Sequence, residues 1–168
     1  MMQIEANDAA ALRAVLRKDL DAIAHLEEHA HAVAGTELVR SQTEALGFTI
    51  HNIYNALDNS FVQISLTFEN HVKDQSRWHR EVLEKMFLPV PPLRPAVLPA
   101  TVHSLLADLL AFRHVFRHSY ESTLDREKTL ALFHRWADRG QEVRSALESF
   151  CAQLARASQS SRPQNASE

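Results

Sequence analysis

Glycine is nearly absent, at three residues in 168, and that scarcity excludes the nucleotide cradles built on tight glycine turns. Neither GxGxxG nor GxxxxGK(S/T) occurs. Cysteine occurs once, at Cys151, so no intramolecular disulfide and no site of several thiolates can form, and a reducing cytoplasm is the expected compartment. No apolar run approaches the roughly 20 residues that span a bilayer. The first residues carry Glu5 and Asp8 where a secretory signal would place basic residues before an apolar stretch. The expectation is a soluble, unprocessed chain without a membrane partner. Strong charge is also missing: a net charge of −3 excludes a globally basic nucleic-acid binder. The skew within the chain is mild, since Ala111 to Arg144 holds seven basic against five acidic residues, +2, which leaves −5 elsewhere.

What is present, 45% hydrophobic and 23% charged residues, suits one globular domain with a full core. The spacing predicts a first helix over about Asn7 to Val33, carrying Leu12, Val15, Leu16, Ile23 and Leu26 and ended by Gly35. A second begins at Thr36 and Glu37, with Gly47 a candidate break, and runs to about Glu69. Its Ile50, Ile53, Tyr54, Leu57, Phe61, Ile64 and Phe68 repeat at three and four. Phe61 to Phe68 also alternates like a strand, but helical spacing extends well upstream and no hairpin partner follows. A short third helix covers about Asp74 to Phe87. Five of the six prolines fall between Pro89 and Pro99 and predict an extended connection inside the domain. A fourth helix runs from Pro99 or Ala100 to about Glu121, and a fifth from about Asp125 to Ala157. The fold class is therefore all-α, an up-and-down bundle of about five helices over residues 1–157, with a polar, disordered tail at 158–168.

Chemistry concentrates on the fourth helix. At about 100° per residue, Leu105, Leu109, Phe112, Val115 and Phe116 form a core-facing sector. Taking Arg113 as zero, Arg117 lies at about 40°, His114 at about 100°, His118 at about 140° and Tyr120 at about −20°. Two arginines, two histidines and a tyrosine share the polar side. An arginine can clamp a phosphate bidentately, and a histidine can serve as acid or base near neutrality. RNA brings its own nucleophile, the 2′-hydroxyl, so arginine and histidine without metal ligands suffice for its transesterification but not for cleavage of DNA. Composition sets the weight of the spacing: Arg and His five apart are expected about 0.8 times by chance, and about 0.01 times with tyrosine two places on. Arg113 and His118 diverge by about 140°, which suggests a composite site at a groove rim or across a dimer. Leu106 and Leu110 leave the first half of this helix apolar nearly all round, so burial against a two-fold partner is expected.

The segment Phe112-Arg113-His114-Val115-Phe116-Arg117-His118-Ser119-Tyr120 resembles the RxxxxHxY motif of HEPN domains, specifically the HepT-like ribonuclease toxins. His51 to Leu57 is similar to that family's second helix, Trp78-His79-Arg80 with Met86 to its third, and Arg94 to Leu98 to its connection into the motif helix. The likeness runs from about Ala6 to Leu154. It implies an all-helical homodimer, with facing motif helices forming a cleft for metal-independent RNA cleavage and no cofactor. It further implies Arg113 and His118 as the catalytic dyad, His114 as the accompanying polar residue, and Tyr120 as the position that an MNT-type nucleotidyltransferase antitoxin modifies with AMP. Arg117 is a candidate second phosphate contact.

Two other classes compete. A non-catalytic HEPN adaptor would bind a nucleotide or a nucleotidyltransferase and would not need Arg113 and His118 in one cleft. A helical metalloenzyme is suggested by His25-Leu26-Glu27-Glu28-His29, a literal HxxEH, although no third ligand is identifiable and the surrounding charges suggest a solvated face. Tyr54, Phe61 and Phe68 are expected in the core, Cys151 as inert core, and Trp136 as packing with base stacking as its alternative.

Overall fold

A computed structural model of the chain describes residues 2–34, 40–69, 78–118 and 124–160. Among these residues there are five α-helices and no strand: α1 Ala6–Ala34, α2 Arg40–Glu69, α3 Trp78–Met86, α4 His103–His118 and α5 Arg126–Ser160. A single 3-10 turn, Ala100–Val102, leads into α4. The all-α expectation holds. The residues that repeat at three and four are those that disappear from solvent: Leu12, Leu16 and Ile23 on α1, Ile50, Tyr54, Leu57, Phe61 and Ile64 on α2, and Val143, Leu147, Phe150 and Leu154 on α5. Those three long helices pack mutually, α4 lies along α2, and short α3 bridges α2 and α4.

Several boundaries differ from expectation for physical reasons. Helix α2 is unbroken at Gly47. A Cβ there would come within 2.6 Å of the Leu124 side chain and 3.3 Å of the Phe116 ring, so the glycine admits close packing and the helix continues. Asp125 caps α5 by accepting from the Lys128 amide at 3.0 Å. That helix continues through Ser160, three residues past the expected end. The expected start of α2 at Thr36 and Glu37 and the first residues expected of α3 lie outside the described residues.

The proline segment is a closed turn where an extended connection was expected. Val90 and Arg94 form an antiparallel bridge, and the amides of Val97 and Leu98 both donate to the carbonyl of Met86 at the end of α3. Buried Arg94 holds the turn by donating to the carbonyls of Lys85, Leu88 and Pro95 and to the carboxylate of Glu69. Burial alone would raise the Glu69 carboxyl, but hydrogen bonds from Arg94 and Lys85 hold it below its ordinary value.

Helix α4 departs most from its wheel. Leu105 and Leu109 are buried, Phe112 and Phe116 half-buried, but Val115 is 56% exposed. Leu106, expected to need a second subunit, is fully buried inside the chain because α3 and α5 flank this half of the helix. Leu110 is already half-buried. The apolar girdle of α4 is satisfied within one chain and gives no separate argument for a dimer.

Candidate active site

Between α3 and α4 lies a groove of about 730 Å³. Helix α3 contributes His79, Arg80, Leu83 and Glu84, and α4 contributes residues from His103 to His118. Four of the five sequence-predicted site residues, Arg113, His114, Arg117 and His118, line it together. The fifth, Tyr120, lies outside the described residues. The charge of the wall is one-sided: it holds three arginines, four histidines and a single carboxylate, Glu84, which is itself engaged by His103 Nε2 at 2.9 Å. Such a surface attracts a polyanion.

Behind Arg113 and His79 stands α2, where Asn55 and Asp58 are three residues apart and so share a face. Arg113 Nε donates to Asn55 Oδ1 at 2.8 Å. An arginine only donates, so this bond fixes the Asn55 amide and turns its Nδ2 toward His51 Nε2, 3.0 Å away. His51 is thereby the neutral ring with its lone pair on Nε2. Its Nδ1 is buried without a hydrogen-bond partner among the described residues, and its face stacks on Phe116 at 4.8 Å between centroids. Burial, with Arg113 and Arg117 adding to it, lowers the His51 pKa, in agreement with that geometry.

Asp58, 6% exposed, accepts from His79 Nδ1 at 2.8 and 3.0 Å and lies 3.9 Å from Arg113 Nη2. Burial pushes its carboxyl up, and His79 and Arg113 offset only part of that rise. Below it, the hydroxyl of fully buried Tyr54 has no partner among the described residues. Burial first and the Asp58 charge second drive its pKa far upward, so Tyr54 stays neutral in the core beneath Asp58.

At the other end His118 Nδ1 lies 2.7 Å from the carbonyl of His114. A carbonyl only accepts, so Nδ1 carries a proton and Nε2 is the ring nitrogen left for a ligand. The rings of His114 and His118 lie side by side, 4.4 Å between centroids. Chemically, the groove offers a guanidinium fixed from behind and a histidine tied to its helix through Nδ1 alone.

Sequence reasoning missed Asn55, Asp58 and His79. The signal was the polar series Asn52, Asn55, Asp58 at intervals of three along a helix whose opposite face is apolar. Other candidates fall away. Trp136 is 1% exposed and donates Nε1 to Glu27 at 2.8 Å, so it cannot stack a base. In the HxxEH segment, His25 and Glu28 are 82% and 80% exposed and 3.8 Å apart, while Glu27 turns inward to Trp136 and Arg144. Among the described residues no group of three or more His, Cys, Asp or Glu could hold a metal. Cys151 is buried, with its thiol pushed up by burial. No described helix is long and apolar enough to cross a membrane.

Residues 45–154, 110 of the 168, match the family model described as HepT-like protein. No curated protein and no solved structure matches the chain.

Proposed function

Because the chain belongs to the HepT-like family, we propose that it is a metal-independent endoribonuclease, the toxin of a toxin–antitoxin pair. The observation that carries this reading is the gathering of Arg113, His114, Arg117 and His118 in one electropositive groove. Arg113 binds the scissile phosphate and stabilises the charge that builds on its oxygens in the transition state. Asn55 and Asp58 behind it hold the guanidinium in place. His118, with its lone pair on Nε2, removes the proton from the 2′-hydroxyl. Arg117 and His114 contact the flanking backbone.

Two subunits with facing α4 helices would join their grooves into a single cleft, which suits the exposure of Val115. A nucleotidyltransferase antitoxin of the MNT type would silence the enzyme by AMP transfer to Tyr120, which adds bulk and negative charge two residues beyond His118.

The test is cleavage of total cellular RNA in EDTA by the wild type and by Arg113→Ala and His118→Ala. Cleavage that survives chelation and is lost in both variants supports the reading. If the wild type is inert, the mass of Tyr120-containing peptides distinguishes an AMP-silenced enzyme from an inactive one. The non-catalytic adaptor has one observation in its favour, that Arg113 is already bonded to Asn55 and is only 13% exposed. For an adaptor, both variants would bind a nucleotidyltransferase partner normally and neither protein would cut RNA.

A further inference from the structure

Transesterification of RNA needs two proton transfers, one from the 2′-hydroxyl and one to the departing 5′-oxygen. The motif histidine of the RxxxxHxY segment, His118, bonds the helix through Nδ1 and offers Nε2 for one of them. A second such histidine stands on the opposite wall of the groove. His79 lies on α3, is 32% exposed, and lines the same groove as Arg113 and His118. Its Nδ1 is taken by the Asp58 carboxylate at 2.8 Å, so Nε2 is the nitrogen a bound phosphodiester can reach. The same carboxylate oxygen lies 3.9 Å from Arg113 Nη2. One buried aspartate therefore sets both the phosphate-binding guanidinium and this imidazole, and supplies the counter-charge of an imidazolium.

Resting on the ribonuclease reading above, we infer that His79 is the general acid for the leaving group, so that one chain carries both proton-transfer groups, His118 as base and His79 as acid. In the step, His118 Nε2 takes the proton from the 2′-hydroxyl and O2′ forms a bond to phosphorus. The bond from phosphorus to O5′ breaks with its electron pair passing to O5′, which takes the proton from His79 Nε2. The products are a 2′,3′-cyclic phosphate and a 5′-hydroxyl, and solvent exchange resets the two rings. The charged groups around His79 are Asp58 on α2, Arg113 on α4, and Arg80 and Glu84 on its own helix. Asp58 acts through His79 and Arg113 and is a positioning residue.

The experiment compares two oligoribonucleotides in EDTA, one ordinary and one with sulfur replacing the bridging 5′-oxygen at the cleavage site, since a thiolate departs without a proton. Wild type, His79→Ala, His79→Asn and His118→Ala are measured on both. The Asn side chain keeps an N–H for Asp58 and removes only Nε2, so it separates the acid from the helix contact. Both His79 variants should cut ordinary RNA at least about 100-fold more slowly and return to within about fivefold of wild type on the sulfur substrate. His118→Ala should stay slow on both. The inference is overturned if either His79 variant cuts ordinary RNA at the wild-type rate, or if both stay slow on the sulfur substrate. A wild type that cuts neither oligonucleotide overturns the ribonuclease reading itself, a different result from an active wild type indifferent to His79.

Discussion

Asp19 and Asp58 are both nearly buried, at 5% and 6% exposure, and the residues that hold Asp19 directly follow Asp58 along α2. Asn59 and Ser60 each donate to Asp19 at 2.8 Å, closing the junction of α1 and α2 with two neutral donors. Asp58 turns to another face of the helix and meets His79 and Arg113, both of which reach open groove. At the first junction the carboxylate joins two helices, and neither of its partners lines the groove. At the second it joins three helices, and each of its partners keeps a functional atom facing outward. What separates a structural from a positioning carboxylate here is the destination of its partners rather than its own burial.

Substitution can break this contrast. Asp58→Asn should slow RNA cleavage by about 100-fold or more while the protein stays folded. Asp19→Asn should leave the rate per folded molecule unchanged, and an equal loss in both, measured under single turnover, would erase the distinction. Asp19→Ala should instead show up in stability, at a cost of about 2 kcal/mol for the lost charged hydrogen bonds to Asn59 and Ser60, read from the shift in urea midpoint.

Acid gives a smaller effect at the proline turn. Glu69 has a folded pKa below its ordinary 4.5, so its contribution is complete above that value and disappears as pH falls through the folded pKa. Urea midpoints between pH 6 and pH 3 should decline less in Glu69→Gln than in wild type, and parallel declines would refute the assignment. The smallest change belongs to Tyr54→Phe, which removes a buried hydroxyl with no partner among the described residues. It should alter stability by no more than about 0.5 kcal/mol, and a loss of 2 kcal/mol would reveal a hydrogen bond that the geometry does not contain.

The helices were legible because their apolar residues repeat along a single segment. Phe61 to Phe68, ambiguous by alternation, is helix because Ile50 to Leu57 extends the same buried stripe. Gly47 misled because propensity describes an isolated helix, whereas the side chains of Leu124 and Phe116 crowd its open side. Leu106 misled in the same way, since a wheel shows which directions are apolar but not which neighbours fill them. The groove residues of α4 were legible as a local motif. Asp58 and His79 were not, because their pairing joins positions 21 residues apart on different helices, and nothing in either local pattern specifies that approach.

The central claim is that the groove cuts RNA through its own 2′-hydroxyl with Arg113 on the phosphate. The most direct measurement is cleavage in EDTA of one oligoribonucleotide beside the same sequence with a single 2′-deoxy substitution at the cleavage site, using wild type and Arg113→Ala. The account predicts that wild type cuts the all-ribose strand to a 2′,3′-cyclic phosphate end, leaves the deoxy position intact, and loses its activity in Arg113→Ala. Equal cutting at the deoxy position, dependence on a metal ion, or an unimpaired Arg113→Ala would contradict it.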